Sequence, residues 1–134
     1  KADGVHIGQN DDSIEYCKTI MNTNQIIGTS NNNINEINDS ISHKVNYMAI
    51  GKVFETSTMD KLDRNIVGLS LIKEAHKLSD IPIVGIGGIN INNASSVIDS
   101  GADSICVVSA ITKSQNPIDS LKKFNEILNN WILI

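Results

Sequence analysis

Two consecutive glycines at the end of a short apolar stretch are the residues of this sequence with the clearest chemical potential. Residues 82–89 read PIVGIGGI, and Asn90, Asn92 and Asn93 follow. The run of small and branched apolar residues predicts a strand that is buried on both faces. The glycines would bare backbone N–H groups just before a helix that the asparagines can cap. Such a turn favours an anion, and phosphate above others, although glycines also serve ordinary turns.

Length and composition limit the classes of function. The chain has 134 residues and 40% apolar content, which is enough for one domain with a single core. The net charge is −4 and no lysine or arginine cluster occurs, which argues against nucleic acid and anionic membranes as partners. No apolar run approaches the roughly 20 residues of a membrane span. Cys17 and Cys106 form no metal or disulfide pattern and indicate a reducing compartment, so we expect a cytoplasmic protein.

Hydrophobic periodicity predicts five strands, each followed by a helix. The predicted strands begin at residues 3, 25, 46, 82 and 104, and the helical stripes cover residues 14–21, 34–41, 71–78, 94–98 and 118–131. Asp11, Asp12 or Ser13 can cap the first helix, and Asn33 with Glu36 resembles a capping box for the second. Gly101 is placed to end the fourth. The connection of residues 52–65 is the longest, and loops of that length are usually functional or disordered.

Five βα units imply a parallel α/β sheet with right-handed crossovers, and two architectures are open. A five-stranded doubly wound sheet fits the length. A TIM (β/α)8 barrel needs roughly 200 residues or more, so this chain would supply only its last five strands. The strand exits favour the barrel, because small or polar residues at every exit are typical of its catalytic face. These residues are Gln9, Asp11, Ser30, Thr56, Thr58, Gly87, Gly88 and Ser109.

Each candidate residue also has an ordinary interpretation. Asp11 can be a helix cap, Ser30 a turn serine, and Thr56 and Thr58 solvated hydroxyls of a loop. His6 lies within a predicted strand, where a hydrogen-bonded core histidine is the expected role. We expect the two other histidines, His43 and His76, to be solvated residues of helices.

Five motifs together resemble the thiamine-phosphate synthase family. ADGVHIGQND at residues 2–11 is similar to the family's ADGVHLGQxD, and IGTS at residues 27–30 to its iGvS. GKVFETST at residues 51–58 resembles GPvfxTxTK, IVGIGGI at residues 83–89 resembles PvvaIGGI, and VVSAI at residues 107–111 resembles avvSAI. The motifs keep the family's order and spacing. The resemblance implies that residues 1–134 form one domain, the C-terminal portion of a (β/α)8 barrel.

The resemblance implies a transferase of thiamine biosynthesis acting on two small molecules. 4-Amino-5-hydroxymethyl-2-methylpyrimidine diphosphate loses pyrophosphate, and the nitrogen of hydroxyethylthiazole phosphate attacks the exposed methylene carbon to give thiamine phosphate. Mg²⁺ would neutralise the departing pyrophosphate. The site therefore needs anion binding and metal charge, with no protein nucleophile.

The resemblance also assigns roles to individual residues. It implies Asp11 as a metal ligand and Ser30 as a contact of the pyrophosphate. For the thiazole phosphate it implies the hydroxyls of Thr56 and Thr58 and the backbone at Gly88, Val108 and Ser109. Ser30 and Thr58 are the candidate catalytic residues.

The sequence departs from the family pattern in ways that keep other functions open. Met59 stands where the family has a lysine, Lys52 stands where it has a proline, and the family's QxRxK strand and Asn-Asp pair do not occur. A relative like the thiazole tautomerases, or a non-catalytic phosphate-binding barrel domain, remains an alternative. Half a barrel would leave its first strand as an open edge and its inner face bare. We therefore expect a longer protein with an N-terminal half, or pairing with another copy or piece.

Overall fold

Strands and helices alternate from β1 to β5, and two helices follow the last strand. The computed structural model describes residues 2–56 and 65–132, with side chains to residue 129. The strands are β1 (Gly4–Ile7), β2 (Ile26–Asn31), β3 (Tyr47–Ile50), β4 (Ile83–Ile86) and β5 (Ser104–Cys106). The helices are α1 (Ile14–Ile20), α2 (Ile34–Ser42), α3 (Gly68–Leu78), α4 (Ala94–Asp99), α5 (Ser109–Thr112) and α6 (Pro117–Ile132). The predicted five βα units are confirmed, and a short extra helix, α5, precedes α6.

The strands form one parallel sheet in sequential order, β1-β2-β3-β4-β5. Because right-handed crossovers between successive neighbours all lie on the same side, the connecting helices share one face of the sheet. A doubly wound sheet needs a reversal of strand order, so that alternative is wrong. In the part of the chain that the structure describes, β1 and β5 each pair on one side only.

One face of the sheet packs against the helices and carries the core. Ile37 of α2, Met48 and Ile50 of β3, and Ile72 of α3 are fully buried there. Gly85 of β4 lies on the same face, where an added Cβ would come within 2.4 Å of the Val97 side chain. The absence of a side chain therefore lets α4 pack directly on β4, just ahead of the turn at Gly87 and Gly88.

The opposite face of the sheet has no helical cover among residues 2–56 and 65–132. Side chains alternate along a strand, so residues between the core positions point to this side. Ile26 is 49% exposed and Ile86 is 37% exposed, and His6 and Cys106 are exposed as well. The expected bare inner face is confirmed for the described residues. None of their helices is both long and apolar enough to cross a bilayer.

Three local signals of the sequence are confirmed, with one change of detail. Ser13 caps α1 by accepting the Tyr16 N–H, and Asn33 caps α2 by accepting two N–H groups. Glu36 accepts the backbone N–H of Asn32 rather than that of the cap residue, one position earlier than in a capping box. Gly101 follows α4 with φ +101°, as expected for a helix end.

His43 joins two helices, and the expectation of a solvated side chain is wrong. Its Nε2 lies 2.6 Å from Glu15 Oε1 in α1, while Nδ1 donates to the Asp39 carbonyl in α2 at 2.9 Å. The Asp39 carbonyl, followed by the Glu15 carboxylate, raises the pKa of His43 above its ordinary value. Protonated His43 therefore stabilises the contact between α1 and the end of α2.

Raising the pH through the folded pKa of His43 should weaken this contact. The stabilisation is complete below the unfolded pKa of about 6.5 and is lost as pH rises through the higher folded value. We expect a loss under about 1 kcal/mol, because the Glu15 side chain is 65% exposed. Urea unfolding should show this pH slope removed in His43→Gln and kept in His76→Gln, an exposed control on α3. The same slope in His43→Gln as in the wild type would contradict the assignment.

Candidate functional site

The residues predicted for the site meet at the carboxyl edge of the sheet. Each follows or ends a different strand, and the carboxyl ends of parallel strands share one edge. They are Asp11 after β1, Ser30 in β2, Thr56 after β3, Gly88 after β4 and Ser109 after β5. The predicted common rim is confirmed for these five positions. Thr58 and Met59 lie outside the described residues.

A cavity of about 330 Å³, here called cavity A, lies over the ends of β2, β3 and β4. Its described lining combines an apolar floor from the bare sheet face with a polar rim. The lining residues are His6, Ser30, Asn31, Asn32, Ala49, Gly51, Lys52, Thr56, Ile86 and Gly87. Among them Lys52 carries the one fixed positive charge, and there is no carboxylate. Such a lining suits a ligand with an apolar ring and an anionic group.

A buried polar atom lies beside this cavity. The Oδ1 atom of Asn32 is buried and accepts no hydrogen bond, while its Nδ2 donates to Glu36. Buried acceptors are rarely left without a donor in proteins. Asn32 is therefore a described residue of the cavity lining with an unused capacity to accept a hydrogen bond.

His6 links two other side chains at cavity A, which the sequence analysis did not anticipate. Nδ1 lies 2.9 Å from the Tyr47 hydroxyl, and Nε2 lies 2.9 Å from Ser30 Oγ. The His6 and Tyr47 rings stack with centroids 5.6 Å apart. The expectation of a core histidine is wrong, because His6 faces the bare side of the sheet. Both ring nitrogens are nevertheless paired, and the Ser30 hydroxyl is thereby held in one orientation.

Burial lowers the pKa of His6 below its ordinary value, and the nearby Asp11 carboxylate opposes the shift. The imidazole is therefore mostly neutral at neutral pH, with one nitrogen donating and the other accepting. Gln9 adds a bond from its side-chain amide to the Ser30 carbonyl at 2.6 Å. Ser30 is thus fixed through its hydroxyl and through its backbone.

Replacing Gly28 with alanine should disrupt this arrangement. The new Cβ would lie 2.0 Å from the Tyr47 ring, so the ring must move away from His6. We expect a loss of about 1–3 kcal/mol from overpacking, and a rise in the pKa of His6 as its burial is lost. Tyr47→Phe keeps the ring in place and should leave the His6 pKa depressed. A proton NMR titration measures the pKa of His6 in each variant. A depressed His6 pKa in Gly28→Ala would contradict the inference that the Tyr47 ring shields His6 from solvent.

A second cavity of about 340 Å³, here called cavity B, adjoins the first at the ends of β4 and β5. It brings together three of the residues predicted for a phosphate, Thr56, Gly88 and Ser109, and adds a cation. Its described lining is Glu55, Thr56, Gly88, Ile89, Asn90, Ser109, Ala110 and Lys113. Thr56 lines both cavities, and Lys113 is a site residue that sequence reasoning missed. The sequence indicates Lys113 only through its spacing: it lies four residues after Ser109, which is about one turn along a helix.

Val108 is the one described phosphate candidate that does not line cavity B. Its side chain is 51% exposed, and its carbonyl accepts the N–H groups of Ile111 and Thr112 at the start of α5. The structure therefore shows Val108 positioning Ser109 by fixing the first turn of α5. A direct backbone contact with a phosphate stays a prediction.

The glycine turn between the cavities is built by close backbone packing. Gly87 and Gly88 both have positive φ, +100° and +67°. The Phe54 N–H donates to the Gly87 carbonyl at 3.0 Å, and a Cβ on Gly88 would lie 2.3 Å from the Glu55 carbonyl oxygen. The turn and the segment after β3 therefore fit together only without side chains on these glycines.

Asn93 stabilises this turn instead of capping α4, so that prediction was wrong. Its side chain makes no cap bond to the helix. Its Oδ1 accepts the Asn90 N–H at 2.7 Å, and its Nδ2 donates to the Gly88 carbonyl at 3.1 Å. The asparagines after the glycines hold the turn at the edge of cavity B.

Asp11 borders a different groove. Its Oδ2 accepts the Gly8 N–H at 2.7 Å, and its side chain lies with those of Asp12, Glu36 and Asp39 between the starts of α1 and α2. Among the described residues, no set of three or more His, Cys, Asp and Glu is grouped to hold a metal ion. The structure thus shows Asp11 fixing the turn after β1, and its role as a metal ligand stays a prediction.

Comparison with known proteins identifies the family. The family model for thiamine monophosphate synthase matches residues 1–111. The chain belongs to the thiamine monophosphate synthase family. It is 42% identical over 132 residues to a thiamine-phosphate synthase of Methanococcus vannielii, covering 98% of this chain and 63% of that protein. For a thiamine-phosphate synthase of Persephonella marina the identity is 38% over 130 residues, with coverage of 97% and 61%. The chain thus spans less than two thirds of these relatives.

Solved structures agree with the family assignment. A thiamine phosphate pyrophosphorylase from Pyrococcus furiosus superposes with a TM-score of 0.86 at 32% identity, covering 96% of this chain and 60% of that one. A 3-hexulose-6-phosphate synthase from Salmonella typhimurium gives a TM-score of 0.72 at 18% identity, with coverage of 96% and 63%. The second likeness shows the fold alone. The family assignment applies to the strands and motifs that build cavities A and B.

Proposed function

We propose that the complete protein is a thiamine-phosphate synthase that joins a pyrimidine diphosphate to a thiazole phosphate. The observation that supports this best is the pair of adjoining cavities with Thr56 between them. Each has a lysine and hydroxyl groups at its rim. Cavity A would take the pyrimidine diphosphate beside Ser30, and cavity B would take the thiazole phosphate beside Gly88 and Ser109.

The proposed reaction needs positioning more than proton transfer. The bond between the pyrimidine methylene carbon and the diphosphate oxygen breaks, and its electron pair leaves with pyrophosphate. The lone pair of the thiazole nitrogen then forms the new C–N bond at that carbon. Ser30, oriented by His6, would contact the pyrophosphate as charge develops on it, where fixed donors are most effective. Thr58 is proposed as the second catalytic residue.

We propose Mg²⁺ as the cofactor, with Asp11 as one ligand. The Asp11 carboxylate is a suitable ligand, because Mg²⁺ prefers oxygen and takes only one or two carboxylates beside phosphate oxygens. The described hydrogen bonds engage one of the two Asp11 oxygens. When bound, Mg²⁺ would neutralise charge on the departing pyrophosphate.

We further propose that residues 1–134 form five of the eight βα units of a barrel, with the other three on the same or another polypeptide. The one-sided pairing of β1 and β5 and the exposed sheet face support this. The 63% coverage of the Methanococcus vannielii relative agrees with it. Both cysteines are free thiols, which supports a cytoplasmic location.

The test is an assay of the full-length protein with the two precursors and Mg²⁺. Thiamine phosphate and pyrophosphate should form in equal amounts, and omission of either precursor should abolish both products. Binding of the thiazole phosphate without release of pyrophosphate would overturn the proposal. That result would favour a tautomerase-like relative or a non-catalytic phosphate-binding domain.

A further inference from the structure

Lys52 is a charged residue of cavity A to which no motif assigns a role. Its side chain is 23% exposed and lines the cavity with His6, Ser30 and Asn32. Among the described lining residues of cavity A, Lys52 carries the one fixed charge. A cation that is largely shielded from solvent attracts an anion more strongly than a fully exposed one does.

The backbone that carries Lys52 is held on three sides. The Lys52 carbonyl accepts the Val67 N–H at 2.9 Å, and the next residue, Val53, donates its N–H to the Ile86 carbonyl at 2.9 Å. A Cβ on Gly87 would lie 2.6 Å from the Cβ of Lys52, so this glycine lets the two backbones touch. The position of Lys52 is therefore fixed, and only its long side chain can change direction.

The ammonium group of Lys52 already has a partner that it can exchange. Its Nζ lies 3.0 Å from Glu55 Oε1, and the Glu55 side chain is 74% exposed. This hydrogen bond lowers the pKa of Glu55, so the carboxylate is charged at neutral pH. A pair with one partner this exposed contributes little to stability and forms and breaks readily. A phosphate oxygen in cavity A would compete well with it.

We propose that Lys52 binds the diphosphate of the substrate, and the pyrophosphate formed from it, by exchanging Glu55 for a phosphate oxygen. This rests on the proposed function, because it assigns the diphosphate to cavity A. No bond is made or broken with Lys52, which supplies charge and a hydrogen bond. Glu55 keeps the lysine near the cavity mouth until the anion arrives.

The test uses the full-length protein and inorganic pyrophosphate as the probe in isothermal titration. Lys52→Met should weaken pyrophosphate binding about tenfold to a hundredfold, the effect of losing a hydrogen bond between charged groups. Lys52→Arg should restore most of the affinity, and Glu55→Gln should equal or exceed the wild type because the competing carboxylate is gone. Lys122→Met, on an exposed face of α6, is the matched control for loss of one charge and should bind normally.

Two results would overturn the proposal. One is pyrophosphate affinity in Lys52→Met within twofold of the wild type, and the other is equal weakening in Lys122→Met. In steady-state assays, Lys52→Met should raise KM for the pyrimidine diphosphate more than KM for the thiazole phosphate. If the wild type makes no thiamine phosphate, the proposed function fails, and the pyrophosphate titration still decides the role of Lys52.

Discussion

Replacing Gly88 with alanine should lower the free energy of unfolding by about 2–4 kcal/mol and weaken ligand binding in both cavities. The positive φ of Gly88 strains any residue with a Cβ, and the added atom would meet the Glu55 carbonyl oxygen and the Phe54 backbone. Because the chain after β3 lines cavity A and cavity B, moving it disturbs both. Urea unfolding measures the free energy of unfolding. Titration with inorganic pyrophosphate and with phosphate measures ligand affinity in cavity A and cavity B.

Gly68→Ala is a matched control for the backbone strain. Gly68 has φ +68°, but an added Cβ there has ordinary space, with Ser70 Oγ at 3.8 Å. We expect a loss of about 1 kcal/mol from the positive φ alone, and normal ligand binding. Equal losses of stability in the two variants would show that the contact between the glycine turn and residues 54–55 contributes nothing to the free energy of unfolding.

Replacing Asp11 with asparagine should lower Mg²⁺-dependent turnover of the full-length protein about a hundredfold while leaving its stability within about 0.5 kcal/mol. Asparagine keeps an oxygen that can accept the Gly8 N–H, so the turn after β1 survives and only the charge is lost. Thiazole phosphate affinity should stay normal, because cavity B lies at the ends of β4 and β5. Turnover against Mg²⁺ concentration, with chemical denaturation, separates these effects.

Two further variants make the Asp11 result decisive. Asp12→Asn removes the neighbouring charge and should keep the Mg²⁺ dependence of the wild type. Asp11→Ala also removes the acceptor for Gly8 and should lose about 1 kcal/mol of stability. If Asp11→Asn turns over normally while Asp11→Ala is destabilised, Asp11 is a structural residue of the turn and the metal assignment is wrong.

The fold could be predicted from the sequence because its signals are local. The apolar runs, the cap at Asn33 and the stop at Gly101 depend on a few neighbouring residues. The barrel type could be preferred over the doubly wound sheet from the polar strand exits. Strand order settled that choice, and it depends on crossovers between distant segments.

The parts of the site that were missed depend on register between strands. His6 lies opposite Gly28, and Gly28 lies opposite Tyr47, so the missing side chain on β2 lets two rings from β1 and β3 meet. Nothing near His6 in the sequence indicates that pairing. Asn93 was misjudged for a similar reason, since the N–H of Asn90 and the carbonyl of Gly88 compete successfully with the helix end for its side chain.

The sequential strand order also has a consequence for how the chain folds. Strand partners are 19 to 35 positions apart in sequence, and each strand adds to the one made just before it. The sheet can therefore grow one unit at a time during synthesis, with short-range closures at every step. The longest connection joins β3 to β4, but doubling the length of a loop raises the free-energy cost of closing it by only about 0.6 kcal/mol. A change of length in the connection between β3 and β4 would therefore alter the free energy of loop closure less than the same change in a shorter connection.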